Sequence, residues 1–244
     1  MSNINHTTTS HTDTPSTVLP LGEAVPDHTP RPFPEATQLI GRYATLSALS
    51  MHAHADALYD RLCLHSPQAL WTYLPFGPFD SPQAFHTFLS AFQKDKVVYV
   101  IEKKNQPGPL GIACFLDINP TEGVIEIGGV IFSSALQGTR AATEAIYLML
   151  TTCFDHLKYR RCQWRCHALN QASGRAAKRF GFLYEGTFRQ AQVVKGHNRD
   201  TQWYAMLDKE WPNRQAAFTR WLDPANFDAQ GQQRSRLMTA SESN

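Results

Sequence analysis

Two short segments of this sequence place small and polar residues where a strand would run into a helix. The first is SSALQGTRAATEA, residues 133–145, which follows an aliphatic strand and enters a long helix. The first N–H groups of a helix have no internal partner and the helix dipole is positive there, so this junction suits a phosphate group. Many similar junctions only cap a helix, and this segment alone does not decide between the two interpretations.

The second segment is NQASGRAAKRFGF, residues 170–182, which opens a short helix with Asn170 and Ser173. One of these two side chains is expected to cap the helix. Three bases on this helix could meet phosphates, although a solvated surface position is the simpler interpretation for at least two of them: Arg175, Lys178 and Arg179.

A third candidate lies on the predicted strand VIEIGGVIF, residues 124–132, where Glu126 interrupts an aliphatic run. A buried carboxylate is unfavourable unless it is paired, or faces a cleft in which a raised pKa is useful. Glu126 is therefore either a structural ion-pair partner or a general base. The pair Gly128–Gly129 indicates a bulge or a close approach by a ligand.

The elements that must position these residues follow from apolar periodicity. Three consecutive strands separated by the turns NQPGP and NPTEG predict an antiparallel meander that ends in the Glu126 strand. Apolar residues from Ala142 to Leu157 recur every three or four positions, which predicts a buried helix. RCQWRCHA, residues 161–168, alternates as a strand. Its inward face would carry Cys162, Trp164, Cys166 and Ala168, with the two cysteines in the core, and its polar face would carry Arg161, Gln163, Arg165 and His167. The order β α α β β β α β α β β α predicts an α/β fold with a mixed sheet.

Composition bounds the folded part and the classes of partner. Residues 1–36 and 223–244 are polar and poor in large aliphatic residues, so we expect disordered tails around one domain at 37–222. A net charge of only +2 argues against nucleic-acid binding through phosphate neutralisation. Five cysteines without a CxxC pair fit a reducing cytoplasm and suggest no metal site. No apolar run approaches the length of a membrane span.

The run ALNQASGRAAKRFGFLYEGTFRQAQVVKGHNRDTQWYAML, with the loop QGTRAATEA before it, resembles the GNAT superfamily of acyl-CoA-dependent N-acyltransferases. Within that superfamily, the chain is most similar to the branch that includes the ribosomal-protein N-terminal acetyltransferases. The resemblance covers roughly Leu39 to Trp211. It implies a GNAT-type fold, which has a mixed and mostly antiparallel central sheet flanked by helices, and it implies acetyl-CoA as co-substrate.

The resemblance also assigns cofactor-binding residues. Backbone groups of the Glu126 strand would bind the pantetheine arm at Val130, Ile131 and Phe132. The loop would wrap the pyrophosphate through Gln137, Gly138, Thr139, Arg140, Ala141 and Ala142. Arg140 stands where the family usually has glycine, and it could contact a phosphate directly. Asn170 would hold the pantetheine arm, and Ser173 would lie near the cofactor sulfur.

The implied reaction is direct attack of a primary amine on the thioester in a ternary complex. Glu126 would act as the base through a water, and the N–H near Val130 would stabilise the oxyanion. Ser173 would be the proton donor, because Ala177 stands where many relatives carry tyrosine. The acceptor would be a small-molecule amine or a protein N-terminus, near the aromatic loop WTYLPFGPF, residues 71–79.

A second class of function stays open. The protein would be a non-catalytic acyl-CoA-binding regulatory module if Glu126 were held in an ion pair away from the cleft. An RNA-associated protein would need a basic stripe on the sheet, which the near-neutral charge does not support. We expect a cytoplasmic monomer or homodimer without nucleic-acid or membrane partners.

Overall fold

The computed structural model describes residues 19–35 and 37–237, and this part of the chain forms one sheet covered by helices on both faces. The strands are β1 Leu39–Ile40, β2 Ala44–Ala48, β3 Val97–Lys103, β4 Pro109–Asn119, β5 Val124–Phe132, β6 Arg161–His167, β7 Leu183–Val194 and β8 His197–Leu207. The helices are α1 Met51–Tyr59, α2 Pro82–Phe92, α3 Arg140–Thr151, α4 Gln171–Arg179 and α5 Trp211–Leu222. Within these described ranges, no helix is long and apolar enough to cross a bilayer.

The eight strands lie in the order β1-β2-β3-β4-β5-β6-β8-β7. Every neighbouring pair is antiparallel except β5 and β6, which are parallel. Helices α3 and α5 pack on one face of the sheet, and α1 and α2 pack on the other. The predicted meander, the buried helix and the mixed, mostly antiparallel sheet are confirmed.

The sheet splits where its two parallel strands meet. β5 and β6 pair only from Val124 to Glu126, and the rest of β5 has no register partner on β6. On its other side, β5 carries a bulge in which Gly129 and Val130 stand opposite Ala113 of β4. Gly129 has a φ of 57°, and a Cβ there would lie 2.8 Å from the Phe92 ring. The glycine pair therefore marks a bulge, one of the two features that its sequence indicated.

A buried carboxylate joins the long helix to the first strands of the sheet. Glu144 of α3 accepts the N–H groups of Arg42, Tyr43 and Ala44 at 2.9, 2.6 and 2.8 Å. A Cβ on Gly41 would come within 2.3 Å of Glu144 Oε2, so this turn requires glycine. The strand that the sequence predicts at Arg42–Ser50 corresponds to β2, and Glu144 holds the turn that joins β2 to β1.

The hairpin of β7 and β8 is longer than the sequence predicted. The apolar pattern indicated strands at 182–190 and 201–207, whereas pairing continues to Val194 and His197. Lys195 and Gly196 have φ values of 51° and 77°, which is the two-residue turn that suits a twisted hairpin. The added residues are mostly polar, so apolar alternation did not mark them.

Parts of both terminal segments contact the domain, whereas residues 19–30 are exposed. Near the start of the chain, the N–H of Arg31 donates to the carbonyl of Pro120 at 2.9 Å. After α5, Phe227 and Leu237 are buried, and Asn226 is hydrogen-bonded to its surroundings. Composition missed this packing because a few anchors hold a mostly polar segment. The tail expectation for residues 1–18, 36 and 238–244 falls outside the described residues.

Candidate active site

The split between β5 and β6 opens into two adjoining cavities. The larger, which we call the long groove, has a volume of about 1510 Å³, and the smaller, the small cavity, about 450 Å³. The residues that line both mark the place where they meet, which we call the junction: Tyr73, Leu74, Val130, Trp164, Asn170 and Ser173. A ligand lying in the groove and a second molecule in the cavity would therefore touch at this point.

The long groove gathers nearly all of the predicted cofactor-binding residues. It is lined by Val130, Phe132, Gln137, Gly138, Thr139, Arg140, Ala141, Ala142, Asn170 and Ser173. Ile131 is the exception, because its side chain is fully buried on the α1–α2 face of the sheet. Only the backbone of Ile131 is left to serve the site.

The loop before α3 forms a cradle of backbone groups. The Gln137 side chain donates to the Phe132 carbonyl at 2.7 Å, and Thr139 caps α3 by accepting the N–H of Ala142 at 3.2 Å. Gly138 has a φ of 71°, and space is open where its Cβ would be. Because first-turn N–H groups of a helix lack internal acceptors, the cradle suits an anion.

Arg140 is stacked between two aromatic rings. Its guanidinium carbon lies 4.9 Å from the centroid of Tyr43 and 4.5 Å from that of Phe227. Gln230 to Gln233, which follow Phe227, also line the groove. The arginine thus holds the C-terminal segment as a wall of the groove, while its side chain still borders the space beside the cradle.

Two of the three bases on α4 line the groove. Arg175 is exposed, and Arg179 is half-buried, donating to Thr143 Oγ1 at 3.1 Å and lying 4.8 Å from the Trp221 ring centroid. Burial lowers the pKa of Arg179. Lys178 is exposed and does not line the groove, which is what we expect of a solvated surface residue.

The start of α4 fixes the Ser173 hydroxyl at the junction. Asn170 is the helix cap, because its Oδ1 accepts the N–H of Ser173 at 3.1 Å. Trp164 Nε1 donates to Ser173 Oγ at 3.0 Å. An indole N–H can only donate, so the hydroxyl proton of Ser173 remains free to point into the site. Sequence reasoning placed Trp164 on the inward face of β6 and missed this contact.

Glu126 lies in the wall of the small cavity with 4% of its surface exposed. Arg165 on β6 forms close ion pairs with Glu126 Oε2 and with Asp117. Burial raises the pKa of Glu126 to about 7, against the opposing charge of Arg165. Glu126 is therefore both an ion-pair partner and a cavity carboxylate with a raised pKa.

The aromatic loop serves both the core and the cavity. Trp71 is buried and packs against Phe79, with ring centroids 5.4 Å apart. Tyr73 and Phe76 line the small cavity. The Tyr73 ring lies 5.1 Å from that of His167, which also lines the cavity. Burial lowers the pKa of His167, whose Nδ1 accepts the N–H of Leu169.

Three further residues of the small cavity were missed by sequence reasoning: Arg199, Thr201 and Trp203. Their alternation along β8 was the available signal, but the strand was predicted to begin only at Thr201. Cys162 and Cys166 are buried in the core, as predicted. In the described ranges, no group of three or more His, Cys, Asp or Glu residues could hold a metal ion.

Comparison with known proteins identifies similar sequences and folds. A family model for the acetyltransferase (GNAT) domain matches residues 45–183. The chain is 40% identical to a GCN5-related N-acetyltransferase from Brucella melitensis, with a TM-score of 0.84 over 86% of this chain and 96% of that one. It is 41% identical to a GNAT family protein of known structure from Chromobacterium violaceum, with a TM-score of 0.74 over 80% of this chain and 98% of that one.

One curated relative shares a shorter stretch. It is "Putative ribosomal N-acetyltransferase YdaF" of Bacillus subtilis (strain 168), which is 29% identical over 83 residues. The aligned stretch is 34% of this chain, and it spans less than half, 45%, of the relative's length.

Proposed function

Because the chain belongs to the GNAT family of acetyltransferases, we propose that it transfers an acetyl group from acetyl-CoA to a primary amine within a ternary complex. The observation that carries this proposal is the meeting of two cavities at the junction. A long groove with an anion cradle suits an extended nucleotide thioester, and a small cavity with a carboxylate in its wall suits an amine. Direct transfer requires the two to touch, since effective catalysis depends on holding both reactants in contact.

The residues of the long groove fit acetyl-CoA. The cradle at Gly138 and Ala141 offers backbone N–H groups for the pyrophosphate, and Arg175 and Arg179 add positive charge beside it. Beyond Glu126, β5 has no pairing with β6, so backbone groups on that side of β5 are free to bind the extended pantetheine arm. Arg140 stands where the family usually has glycine, but its side chain does not fill the space at Gly138. This chain's departure from the family pattern therefore leaves the cradle open.

Acetyl-CoA supplies an activated acyl group, and the protein residues must move the protons. We assign Glu126 the role of base: it removes a proton from the incoming ammonium, through a water, so that the nitrogen lone pair can form the new C–N bond. A carboxyl pKa of about 7 allows proton uptake and release near neutral pH. The N–H of Val130, at the bulge of β5, is assigned to the carbonyl oxygen as negative charge develops there.

Ser173 is assigned to the leaving sulfur. When the C–S bond breaks, the electron pair stays on sulfur, and the hydroxyl donates its proton toward it. Trp164 is a positioning residue, because its indole N–H occupies a lone pair of Ser173 Oγ and orients the hydroxyl. Ala177 carries only a methyl group, so it cannot supply the proton.

The acceptor in this proposal is a small-molecule amine or a protein N-terminus. The small cavity, about 450 Å³, can hold one small molecule or a terminal residue. The similarity to a protein named for ribosomal N-acetyltransfer is compatible with the second source. The five cysteines are free, and we place the enzyme in the reducing cytoplasm as part of the proposal.

Isothermal titration with acetyl-CoA, with CoA as comparison, tests the groove, and thiol release with amine substrates tests the reaction. We expect a Kd in the micromolar range, about −8 kcal/mol, and amine-dependent thiol release. Tight binding without release for any amine or peptide would favour the non-catalytic module. No binding at millimolar ligand would refute the proposed site.

A further inference from the structure

Strand β8 presents three unsatisfied side chains to the small cavity. Arg199, Thr201 and Trp203 are alternate residues, so they lie on one face of the strand, and all three line the cavity. Their Nε, Oγ1 and Nε1 atoms are shielded from water and have no hydrogen-bond partner in the part of the chain that the structure describes. Buried polar atoms are nearly always satisfied by protein or by water, so three of them at one cavity mark a place where a ligand can supply the missing hydrogen bonds.

The types of these atoms define that group. A guanidinium and an indole N–H can donate hydrogen bonds but cannot accept them, and a threonine hydroxyl can donate as well. The complement to three donors on one strand face is a group with acceptor oxygens. Carboxylate matches this description, and a guanidinium binds carboxylate better than any other side chain does.

The charges of the cavity point the same way. Two of its cations have anionic partners: Arg165 pairs with Asp117 and Glu126, and Lys96 pairs with Asp95. Arg199 has no ion-pair partner among the described residues. Burial lowers the pKa of Arg199, the neighbouring charge of Arg165 lowers it further and that of Glu126 raises it, and a guanidinium stays protonated throughout. Among the described residues, the Arg199 guanidinium forms no ion pair, so it is available to an anionic group of a ligand.

The β7–β8 hairpin and the aromatic loop also border the cavity. The tip of the β7–β8 hairpin reaches the aromatic loop, where Lys195 Nζ donates to the Trp71 carbonyl at 2.8 Å. Phe188, packed against Trp203 with ring centroids 5.1 Å apart, closes one side. A bound acceptor would therefore place its anionic group close to its amine, since both must fit in the same small space.

We propose that the acceptor of this enzyme is an aminocarboxylate, whose carboxylate is bound by Arg199 with Thr201 and Trp203 while its amine faces Glu126. This inference rests on the proposed acetyl transfer and adds the chemical class of the substrate. The carboxylate has two possible sources, the α-carboxylate of a free amino acid or the acidic side chain of a peptide's first residue.

The test compares matched amines that differ only in the carboxylate. One arm pairs alanine with alaninamide, and the other pairs the amidated dipeptides Asp-Ala and Asn-Ala. Rates of thiol release are expressed per unprotonated amine, because each amide lowers the basicity of its amine. We expect the carboxylate member of one arm to have a kcat/KM at least about tenfold higher than its partner. The arm that shows the preference identifies the source.

The variant Arg199→Met should remove the preference by raising KM for the carboxylate member, with kcat and the Kd for acetyl-CoA little changed. Arg189→Met is the matched control, because Arg189 is exposed on β7 outside the small cavity, and it should retain the preference. Equal rates within each pair, or a preference that survives in Arg199→Met, would overturn the substrate class. So would acetyl-CoA binding without turnover of any of the four amines. Failure to bind acetyl-CoA would instead overturn the proposed function and this inference with it.

Discussion

Replacing Glu126 by glutamine should stabilise the protein at alkaline pH. Burial raises the pKa of this carboxyl from 4.5 to about 7, so the folded state holds the proton more tightly than the unfolded state does. Its contribution to stability is therefore complete below about pH 4.5 and is lost as the pH rises through about 7. A pKa difference of this size corresponds to about 3 kcal/mol. Glutamine is neutral at every pH and avoids the loss.

Urea unfolding of wild type and Glu126→Gln from pH 4 to pH 9 measures this effect. The unfolding free energy of wild type, relative to the variant, should fall by about 3 kcal/mol across the range. Glu185→Gln is the control of opposite sign, because Arg161 holds the pKa of Glu185 below its usual range. That variant should gain no stability at high pH. If the difference in unfolding free energy between wild type and Glu126→Gln did not change with pH, the raised pKa of Glu126 would be refuted.

The same variant tests the catalytic role. If Glu126 is the base, kcat/KM for a weakly basic amine should rise tenfold per pH unit up to about 7 and then level off. Glu126→Gln should lose about 10²- to 10⁴-fold in rate together with the inflection. An inflection near 7 that persists in the variant would mean that another group, such as His167, is the base.

Three further variants test the geometry of the junction and its supports. Ser173→Ala should lower kcat by about 10²-fold at unchanged acetyl-CoA affinity, measured by thiol release and titration, and a normal kcat would remove Ser173 from the mechanism. Gly129→Ala should cost about 2 kcal/mol in urea unfolding, since its Cβ would lie 2.8 Å from the Phe92 ring at a φ of 57°; wild-type stability would contradict the strained bulge. Glu144→Gln should cost about 3 kcal/mol by weakening three backbone hydrogen bonds, and an unchanged melting temperature would show that they contribute little.

The sequence predicted local features well where a residue type has a strong positional preference, as at turns and helix caps. The bounds of β5 were correct because a turn precedes it and a polar loop follows it, and Asn170 caps its helix as short polar side chains do. The resemblance of the sequence to the GNAT superfamily was also confirmed, because the motifs that carry it lie in short continuous segments. These features depend on neighbours in the chain, which the sequence displays directly.

The small cavity was harder to predict because its walls come from separate strands. Alternation placed Arg165 and His167 on the polar face of β6, but nothing local showed that this face borders a cavity instead of water. That depends on the split beside β5, which is a property of the sheet. The ion pair of Arg165 with Glu126 and the stacking of Arg140 on Phe227 likewise join residues far apart in the chain.

The C-terminal segment has a thermodynamic consequence through its place beside the long groove. Phe227 stacks on Arg140, and Gln230 to Gln233 form part of the groove wall, so a ligand in the groove would contact this segment. Two equilibria that share contacts are reciprocal. CoA should therefore protect this segment from proteolysis by the same factor by which the docked segment strengthens CoA binding. Cofactor occupancy and closure of the chain end are then a single coupled equilibrium.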